Sequence, residues 1–178
     1  MTIYLIRHGK TEANEQHLYC GSTDLPLSEK GREELAALHY DIANVRFLTS
    51  GMKRANETME LLFPGIPYDV DAQFRELDFG VFEMHGYEEL KDRPDYQAWI
   101  SGDNERNVPP GGESGEQMTL RVLSAYRGLT ADTCLVTHGG VIAAIMASLF
   151  PEEGRHRYQW QPQNGHGYRI TADGYTPI

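Results

Sequence analysis

The sequence predicts an α/β protein: a three-layer α/β/α sandwich with a mainly parallel sheet and a small cap insertion. Two features indicate this class. Residues 2–6 and 134–137 are continuous runs of apolar and β-favouring residues, which is typical of strands buried on both faces of a parallel sheet. Amphipathic helical patterns lie between the predicted strands, as expected for units of strand, helix and strand.

The composition is that of an ordinary folded protein. The 178 residues fit one domain over 1–178, and the hydrophobic fraction of 40% and charged fraction of 24% are usual. We find no span long enough for a bilayer and no signal peptide, and Cys20 and Cys134 have no disulfide or metal spacing, so we expect a cytoplasmic protein. The net charge of −10 argues against nucleic acid or an anionic membrane as partner, because both require a basic surface.

The first predicted strand ends in Arg7-His8-Gly9. In an open α/β sheet, ligands bind beyond the carboxyl ends of the strands. A guanidinium group can bind phosphate through two hydrogen bonds, and a neutral imidazole nitrogen can attack it. We therefore expect an anion to be held against a nucleophile here. Taken alone, His8 is more often a hydrogen-bonded structural residue, and that alternative stays open.

The strand 134–137 ends in the same way, in His138-Gly139-Gly140, before an apolar helix over 141–150. If the two strands are neighbours in a parallel sheet, His8 and His138 face one crevice.

The segments between these strands predict further elements. Ser28 is a suitable N-cap for a helix with Leu35, Leu38 and Ile42 on one face, and residues 45–49 form a short strand. The next helix carries Arg54 in its first turn, where free N–H groups and the helix dipole favour an anion. The alternative for Arg54 is a solvated surface position.

The segment 74–80 predicts a half-exposed strand or a loop edge, with Glu76 and Asp78 on one side. Residues 81–110 are irregular and aromatic, with helical stretches near 87–91 and 96–100, and we interpret them as a cap over the site. Tyr87, Tyr96 and Trp99 offer surface for an aromatic group, or alternatively form the core of the cap. A capping box at Ser114 begins a helix to about residue 126, and the tail predicts an edge hairpin.

The order of these motifs resembles the signature of the histidine phosphatase superfamily, the group similar to cofactor-dependent phosphoglycerate mutase. The resemblance extends from about Ile3 to His138. Lys10 departs from it, because the family usually has glutamate there. Met84 after Glu83, and the turn at 110–114, are more similar to the α-ribazole phosphatase branch.

The resemblance implies a role for each matching residue. His8 resembles the nucleophile that becomes a phosphohistidine, and Glu76 resembles the acid that protonates the leaving alcohol and then activates water. Two guanidiniums near His8 would disfavour its imidazolium form and keep the ring nucleophilic. The implied catalytic residues are Arg7, His8, Arg54, Glu76 and His138, and the implied phosphate-binding residues are Arg7, Asn14, Gly21, Arg54, His138 and Gly139.

These inferences predict a phosphomonoesterase that needs neither metal nor cofactor and acts on a small phosphate ester, α-ribazole phosphate among the candidates. The alternatives are a phosphoglycerate mutase and a catalytically silent phosphate-binding protein. A metal site at His8, His138 and Cys20 is disfavoured because nearby arginines would repel a cation. The cap is acidic on balance, so we expect a leaving group without charge. The oligomeric state stays open.

Overall fold

The computed structural model of the chain describes residues 1–103 and 105–178. Within this part, six strands form one sheet in the order β3-β2-β4-β1-β5-β6. The first four pair in parallel with their neighbours, whereas β5 pairs antiparallel with β1 and β6 antiparallel with β5. The mainly parallel sheet and the hairpin at its edge are therefore confirmed. The strands are β1 (Ile3–Arg7), β2 (Arg46–Thr49), β3 (Asp69–Val70), β4 (Thr133–Thr137), β5 (Gly167–Thr171) and β6 (Gly174–Pro177).

Helices cover both faces of this sheet. Along β1, Ile3 and Leu5 belong to one core cluster, while Ile6 belongs to a second cluster and Tyr4 packs against that second cluster, because successive side chains of a strand point to opposite faces. The first cluster includes α6 and α7 and the second includes α3, which confirms the three layers. The α-helices are α1 (Glu12–Glu15), α2 (Glu29–Ala36), α3 (Lys53–Leu62), α4 (Tyr87–Leu90), α5 (Pro94–Ile100), α6 (Gly115–Arg127) and α7 (Gly139–Leu149).

The helix α2 begins where the sequence predicts and ends earlier. The Ser28 side chain accepts the Gly31 N–H, as an N-cap does. The helix ends at Ala36, so the expectation that Ile42 lies on its apolar face is wrong. Ile42 instead packs from an irregular segment against the α3 side of the sheet, and Tyr40 donates its hydroxyl proton to the Gly165 carbonyl at 2.7 Å. Tertiary contacts here override the helical periodicity.

The segment 74–80 is a loop, the second of the two forms expected for it. Its two ends belong to the 3₁₀ turns Ala72–Phe74 and Gly80–Phe82, and the residues between these turns have no regular secondary structure. Side chains bind its backbone carbonyls: Thr137 Oγ1 donates to Phe74 O at 2.7 Å, and Arg121 donates to the carbonyls of Arg75 and Glu76. These bonds replace the ladder that a strand would make.

The cap contains both predicted helices, α4 and α5, and Asn104 within it lies outside the described residues. Its small core consists of Phe82, Leu90 and Tyr96, with Tyr19 and Trp99 packed against it. Tyr96 is only 2% exposed. It therefore forms the core of the cap and offers no surface to a ligand. Among the residues that the structure describes, none of the helices is long and apolar enough to cross a bilayer.

Candidate active site

The parallel pairing of β1 with β4 brings the two histidines together. Arg7 lies opposite Thr137 in the register, and the His8 N–H donates to Thr137 O at 2.9 Å. The rings of His8 and His138 have centroids 5.2 Å apart and an interplanar angle of 61°. Both residues are buried. The expectation that they face one crevice at the carboxyl edge of the sheet is confirmed.

The hydrogen bond of His8 defines which ring nitrogen can react. Its Nδ1 lies 2.7 Å from the Gly9 carbonyl oxygen, which can only accept a proton, so Nδ1 carries the hydrogen and Nε2 carries the lone pair. Burial lowers the pKa of His8 well below its ordinary value, and the charges of Arg54 and Arg7 lower it further. The ring is therefore neutral, and its Nε2 carries an unshared electron pair.

The ring of His138 is held by a hydrogen bond to Ser50. Its Nε2 lies 2.8 Å from Ser50 Oγ. Its Nδ1 is buried and has no hydrogen-bond partner within the described part of the chain. Burial lowers the pKa of His138 well below its ordinary value, with further lowering by Arg54 and His8. A neutral ring bonded to a hydroxyl group through Nε2 can carry its proton on Nδ1 and donate it to an anion.

Arg7 also carries a buried nitrogen without a hydrogen-bond partner among the described residues. Its Nη1 donates to the Pro162 carbonyl at 2.8 Å, whereas Nε, like His138 Nδ1, makes no hydrogen bond to a described residue. Burial lowers the pKa of Arg7, and the charge of Glu76 acts in the opposite direction. A methyl group on Gly139 would lie 3.1 Å from Arg7 Nε, so the start of α7 packs closely on this guanidinium.

Arg54 is buried, with 1% of its surface exposed, so the alternative of a solvated arginine is wrong. Its Nη1 donates to Thr23 O at 2.9 Å and its Nη2 donates to Gly21 O at 2.8 Å. Thr58 on the next turn of α3 accepts the Gly9 N–H at 2.9 Å and donates to the Arg54 carbonyl at 2.6 Å. The backbone after His8 is therefore fixed to the helix that carries Arg54.

Glu76 reaches the site from the loop between β3 and the cap. Its Oε2 accepts the N–H of Gly140, in the first turn of α7, at 2.9 Å, and its Oε1 accepts the Leu77 N–H at 2.9 Å. The Arg121 side chain, itself paired with Glu113 at 2.7 Å, holds the backbone of this loop. The sequence does not predict a role for Arg121 or Glu113, since that role depends on contacts across the fold.

Two expected phosphate-binding residues have other partners. Asn14 lies beside Arg7 in a cavity, but its Oδ1 accepts the Thr11 N–H at 3.0 Å and completes the N-terminal cap of α1. The Gly21 N–H donates to Glu83 at 3.0 Å, and the Gly21 carbonyl accepts from Arg54. Contrary to our expectation, the Gly21 backbone therefore holds an arginine and a glutamate, and its N–H does not point to a free anion position.

The loop 161–166 is a further part of the site that sequence analysis did not identify. Asn164 Nδ2 donates to the His8 carbonyl at 2.9 Å, and the Gly165 N–H donates to the Arg7 carbonyl at 2.9 Å. For the tail that contains Asn164-Gly165, the sequence predicts only an edge hairpin. The antiparallel addition of β5 beside β1 brings this loop to the strand end.

Two neighbouring cavities open at this edge of the sheet. One, of about 790 Å³, is lined by Arg7, Lys10 and Lys30 among others, and we call it the cationic cavity. The other, of about 430 Å³, lies beside Glu76 and Gly140; we call it the aromatic pocket, and its aromatic lining is Tyr19, Phe79, Trp99 and Tyr158.

The aromatic pocket and the cationic cavity differ from what the sequence predicts for the cap. Trp99 lines the aromatic pocket as expected, but Tyr87 lines the cationic cavity instead. Arg157 and Glu105 form an ion pair of 2.6 Å in the wall of the aromatic pocket. Across residues 1–103 and 105–178, no three His, Cys, Asp or Glu side chains form a group that could hold a metal ion.

Comparison with known proteins agrees with this geometry. A family model for the histidine phosphatase superfamily (branch 1) matches residues 3–178. An adenosylcobalamin/α-ribazole phosphatase of Salmonella typhimurium is 31% identical over 177 residues, which cover 93% of this chain and 87% of the relative.

Two solved structures are similar over the whole chain. One, from Escherichia coli and provisionally described as an α-ribazole-5′-P phosphatase, has a TM-score of 0.83 and 26% identity, and the match covers 100% of this chain and 94% of the other. A phosphoglycerate mutase from Thermus thermophilus has a TM-score of 0.78 and 29% identity, with coverage of 100% of this chain and 96% of the other. Similar proteins thus include both a phosphatase and a mutase.

Proposed function

The chain belongs to the histidine phosphatase superfamily (branch 1), and from this premise we propose that it hydrolyses small phosphate monoesters through a phosphohistidine at His8. The observation that carries the proposal is the state of His8. Its neutral ring has Nδ1 bonded to the Gly9 carbonyl, and Arg7 and Arg54 lie close enough to lower its pKa. An unprotonated Nε2 next to two cations is what attack on a phosphate dianion requires.

In the proposed first step, the Nε2 lone pair of His8 forms a bond to phosphorus while the bond from phosphorus to the ester oxygen breaks. Charge spreads over the equatorial phosphoryl oxygens. Arg54 would donate hydrogen bonds to these oxygens, as would the N–H groups of Arg7 and His138 that have no partner in the described part of the chain. Glu76 gives a proton to the leaving oxygen. Against the lowering by burial, the charge of Glu76 raises the pKa of Arg7, which supports a place for both side chains around the same reacting group.

In the proposed second step, a water molecule attacks the phosphorus of the phosphohistidine, and Glu76 accepts a proton from this water molecule. The bond between phosphorus and Nε2 breaks, inorganic phosphate leaves, and the lone pair returns to His8. No metal takes part in this scheme, since the guanidiniums of Arg7 and Arg54 supply the positive charge that phosphoryl transfer needs.

For the leaving group, we propose an uncharged and preferably heteroaromatic group, as in α-ribazole phosphate. The aromatic pocket supports this choice, because Trp99 and Tyr158 present ring surface beside Glu76, where the leaving oxygen would lie. Relatives described as acting on α-ribazole phosphate point the same way.

A phosphoglycerate mutase is the second candidate, and the cationic cavity favours it. Lys10 and Lys30 lie near Arg7 there and could bind a second anionic group. However, Lys10 is already paired with Glu34 at 2.8 Å, and Glu15 lines the same cavity. These carboxylates offset the lysine charges, so we place the mutase second and a silent phosphate-binding protein third.

The experiment compares kcat/KM for α-ribazole phosphate with that for 3-phosphoglycerate, and measures interconversion of phosphoglycerates with added bisphosphoglycerate. We expect α-ribazole phosphate to be preferred by about tenfold or more, equal to about 1.4 kcal/mol, with little interconversion and no effect of a chelator. Efficient interconversion would favour the mutase. Tight phosphate binding without turnover of any ester would favour the silent protein.

We also propose a cytoplasmic location, since both cysteines are free.

A further inference from the structure

Glu83, at the base of the cap, carries a carboxylate whose two oxygens are both surrounded by donors. Oε1 accepts the N–H groups of Gly21 at 3.0 Å, Ser22 at 2.9 Å and Phe79 at 3.0 Å. Oε2 accepts the hydroxyl of Thr23 at 2.7 Å and its N–H at 3.3 Å. The backbone of residues 21–23, which we call the Gly21 loop, is thus wrapped around an anion that belongs to the protein itself.

The other side of the Gly21 loop faces the phosphate site. The carbonyls of Gly21 and Thr23 accept from the two terminal nitrogens of Arg54, at 2.8 Å and 2.9 Å. The same residues therefore donate to Glu83 through their N–H groups and accept from Arg54 through their carbonyls. Arg54 is buried, and these two hydrogen bonds attach its guanidinium group to the loop. The position of the loop therefore determines where the remaining N–H groups of Arg54 point.

The attachment of Glu83 to the cap is also rigid. Glu83 directly follows the 3₁₀ turn Gly80–Phe82, and Met84 after it has a φ of 62°, a conformation that non-glycine residues rarely adopt. The Met84 N–H donates to Tyr19 O at 2.7 Å, and the Tyr19 N–H donates to His85 O at 3.0 Å. The base of the cap and the chain entering the Gly21 loop are therefore joined by two backbone bonds at the residues directly after Glu83.

We propose that Glu83 is a positioning residue that fixes Arg54, through the Gly21 loop, in the geometry that binds the phosphoryl group. The inference rests on the proposed function only in taking Arg54 as a phosphate ligand. Glu83 makes no contact with the reacting atoms in this scheme, in which Glu76 is the proton donor. Through Glu83, the affinity for phosphate depends on the position of the base of the cap.

Glu83→Gln is the informative substitution. A glutamine side chain has one acceptor oxygen and one NH₂ group, and in either orientation the NH₂ group would face N–H or O–H donors of the Gly21 loop. The loop must then shift, and Arg54 with it. Glu88→Gln is the matched control, since Glu88 lies in the same cap with its side chain 77% exposed and pairs only with Lys91 in the described part of the chain.

The test is a double-mutant cycle on the binding of inorganic phosphate, measured by calorimetric titration of the full chain. We expect Glu83→Gln to weaken binding about tenfold, which corresponds to about 1.4 kcal/mol, and Glu88→Gln to leave it unchanged. In an Arg54→Lys background, where one ammonium group cannot bind two carbonyls and a phosphate together, Glu83→Gln should add less than about twofold.

If the losses of affinity caused by Glu83→Gln and Arg54→Lys are additive, the proposal is contradicted. Glu83→Gln would then weaken binding independently of Arg54, as a general loss of structure does. Unchanged affinity in Glu83→Gln would also overturn it. If Glu83→Gln does not fold, Thr23→Val carries the test: it removes the hydroxyl bond to Oε2 alone, and we expect about two- to fourfold weaker phosphate binding, with unchanged affinity contradicting the proposal. Binding is measured without turnover, so a failure of the proposed hydrolysis is distinguishable from a failure of this inference.

Discussion

The Glu76 carboxylate accepts the backbone N–H of Gly140 at 2.9 Å, so the proposed acid is fixed to the helix that directly follows His138. Glu76 and His138, two expected site residues that are far apart in sequence, are thereby connected through one hydrogen bond from the backbone of Gly140 to the Glu76 side chain. The close approach requires glycine at 140, since a methyl group there would overlap Glu76 Oε1 and lie 3.1 Å from its Cδ.

Gly140→Ala should therefore displace the Glu76 carboxylate and lower kcat on alkyl phosphates by about tenfold to a hundredfold, the usual cost of a misplaced catalytic group. Alanine favours helix formation more than glycine does, so we expect no decrease in the midpoint of urea unfolding. A loss of stability would then not account for the loss of activity. Gly86→Ala is the control, because its methyl group would meet Leu18 at an ordinary 3.4 Å. Equal activity of the two variants would show that Glu76 does not depend on this contact.

Glu76→Gln should slow hydrolysis of an alkyl phosphate by about 10²- to 10⁴-fold, because the leaving alkoxide needs a proton. The loss should shrink for p-nitrophenyl phosphate, whose leaving group is stable without one. Glu83→Gln should instead lose activity by a similar factor on both esters, since we assign it to phosphate positioning. A leaving-group dependence in Glu83→Gln that is absent in Glu76→Gln would reverse these two assignments.

The buried histidines should make the fold sensitive to mild acid. Both His8 and His138 have pKa values well below the ordinary value of about 6.5. As pH falls through 6.5, the unfolded chain binds protons on these rings while the folded chain does not, so the free energy of unfolding decreases. Between pH 7.5 and 5.5 the decrease is at most about 1.4 kcal/mol for each ring.

Urea unfolding of wild type and His8→Asn at these two pH values measures that effect. The variant should lose less stability on acidification, by up to the contribution of one ring. His39→Asn, which replaces an exposed histidine, is the control and should behave as wild type. The same acid-induced loss in His8→Asn as in wild type would contradict a neutral, buried His8.

Much of the fold was predictable because its signals are local. The β1 and β4 sequences are continuous apolar runs, each followed by histidine and glycine, and a parallel sheet necessarily brings their ends to one edge. Arg54 was also located correctly, since a helix start has a sequence signature. Its burial was not predictable, because it depends on the Gly21 loop folding over α3.

The parts that the sequence did not reveal depend on long-range contacts. Glu83 acts on backbone groups 60 to 62 residues away, and backbone N–H groups leave no trace in residue identity. Asn164 reaches the His8 carbonyl only because β5 adds antiparallel to β1. The roles of His8, Glu76 and the phosphate-binding residues remain predictions for experiment.

Trapping of the phosphoenzyme tests the central claim most directly. Wild type and His8→Asn would be mixed with a ³²P-labelled phosphate ester, denatured within the first turnovers, and tested for protein-bound label in acid and in alkali. We predict label on wild type that is lost in acid and kept in alkali, as expected for phosphorus bound to a ring nitrogen, and none on His8→Asn. Label that resists acid, or equal labelling of His8→Asn, would contradict a phosphohistidine at His8.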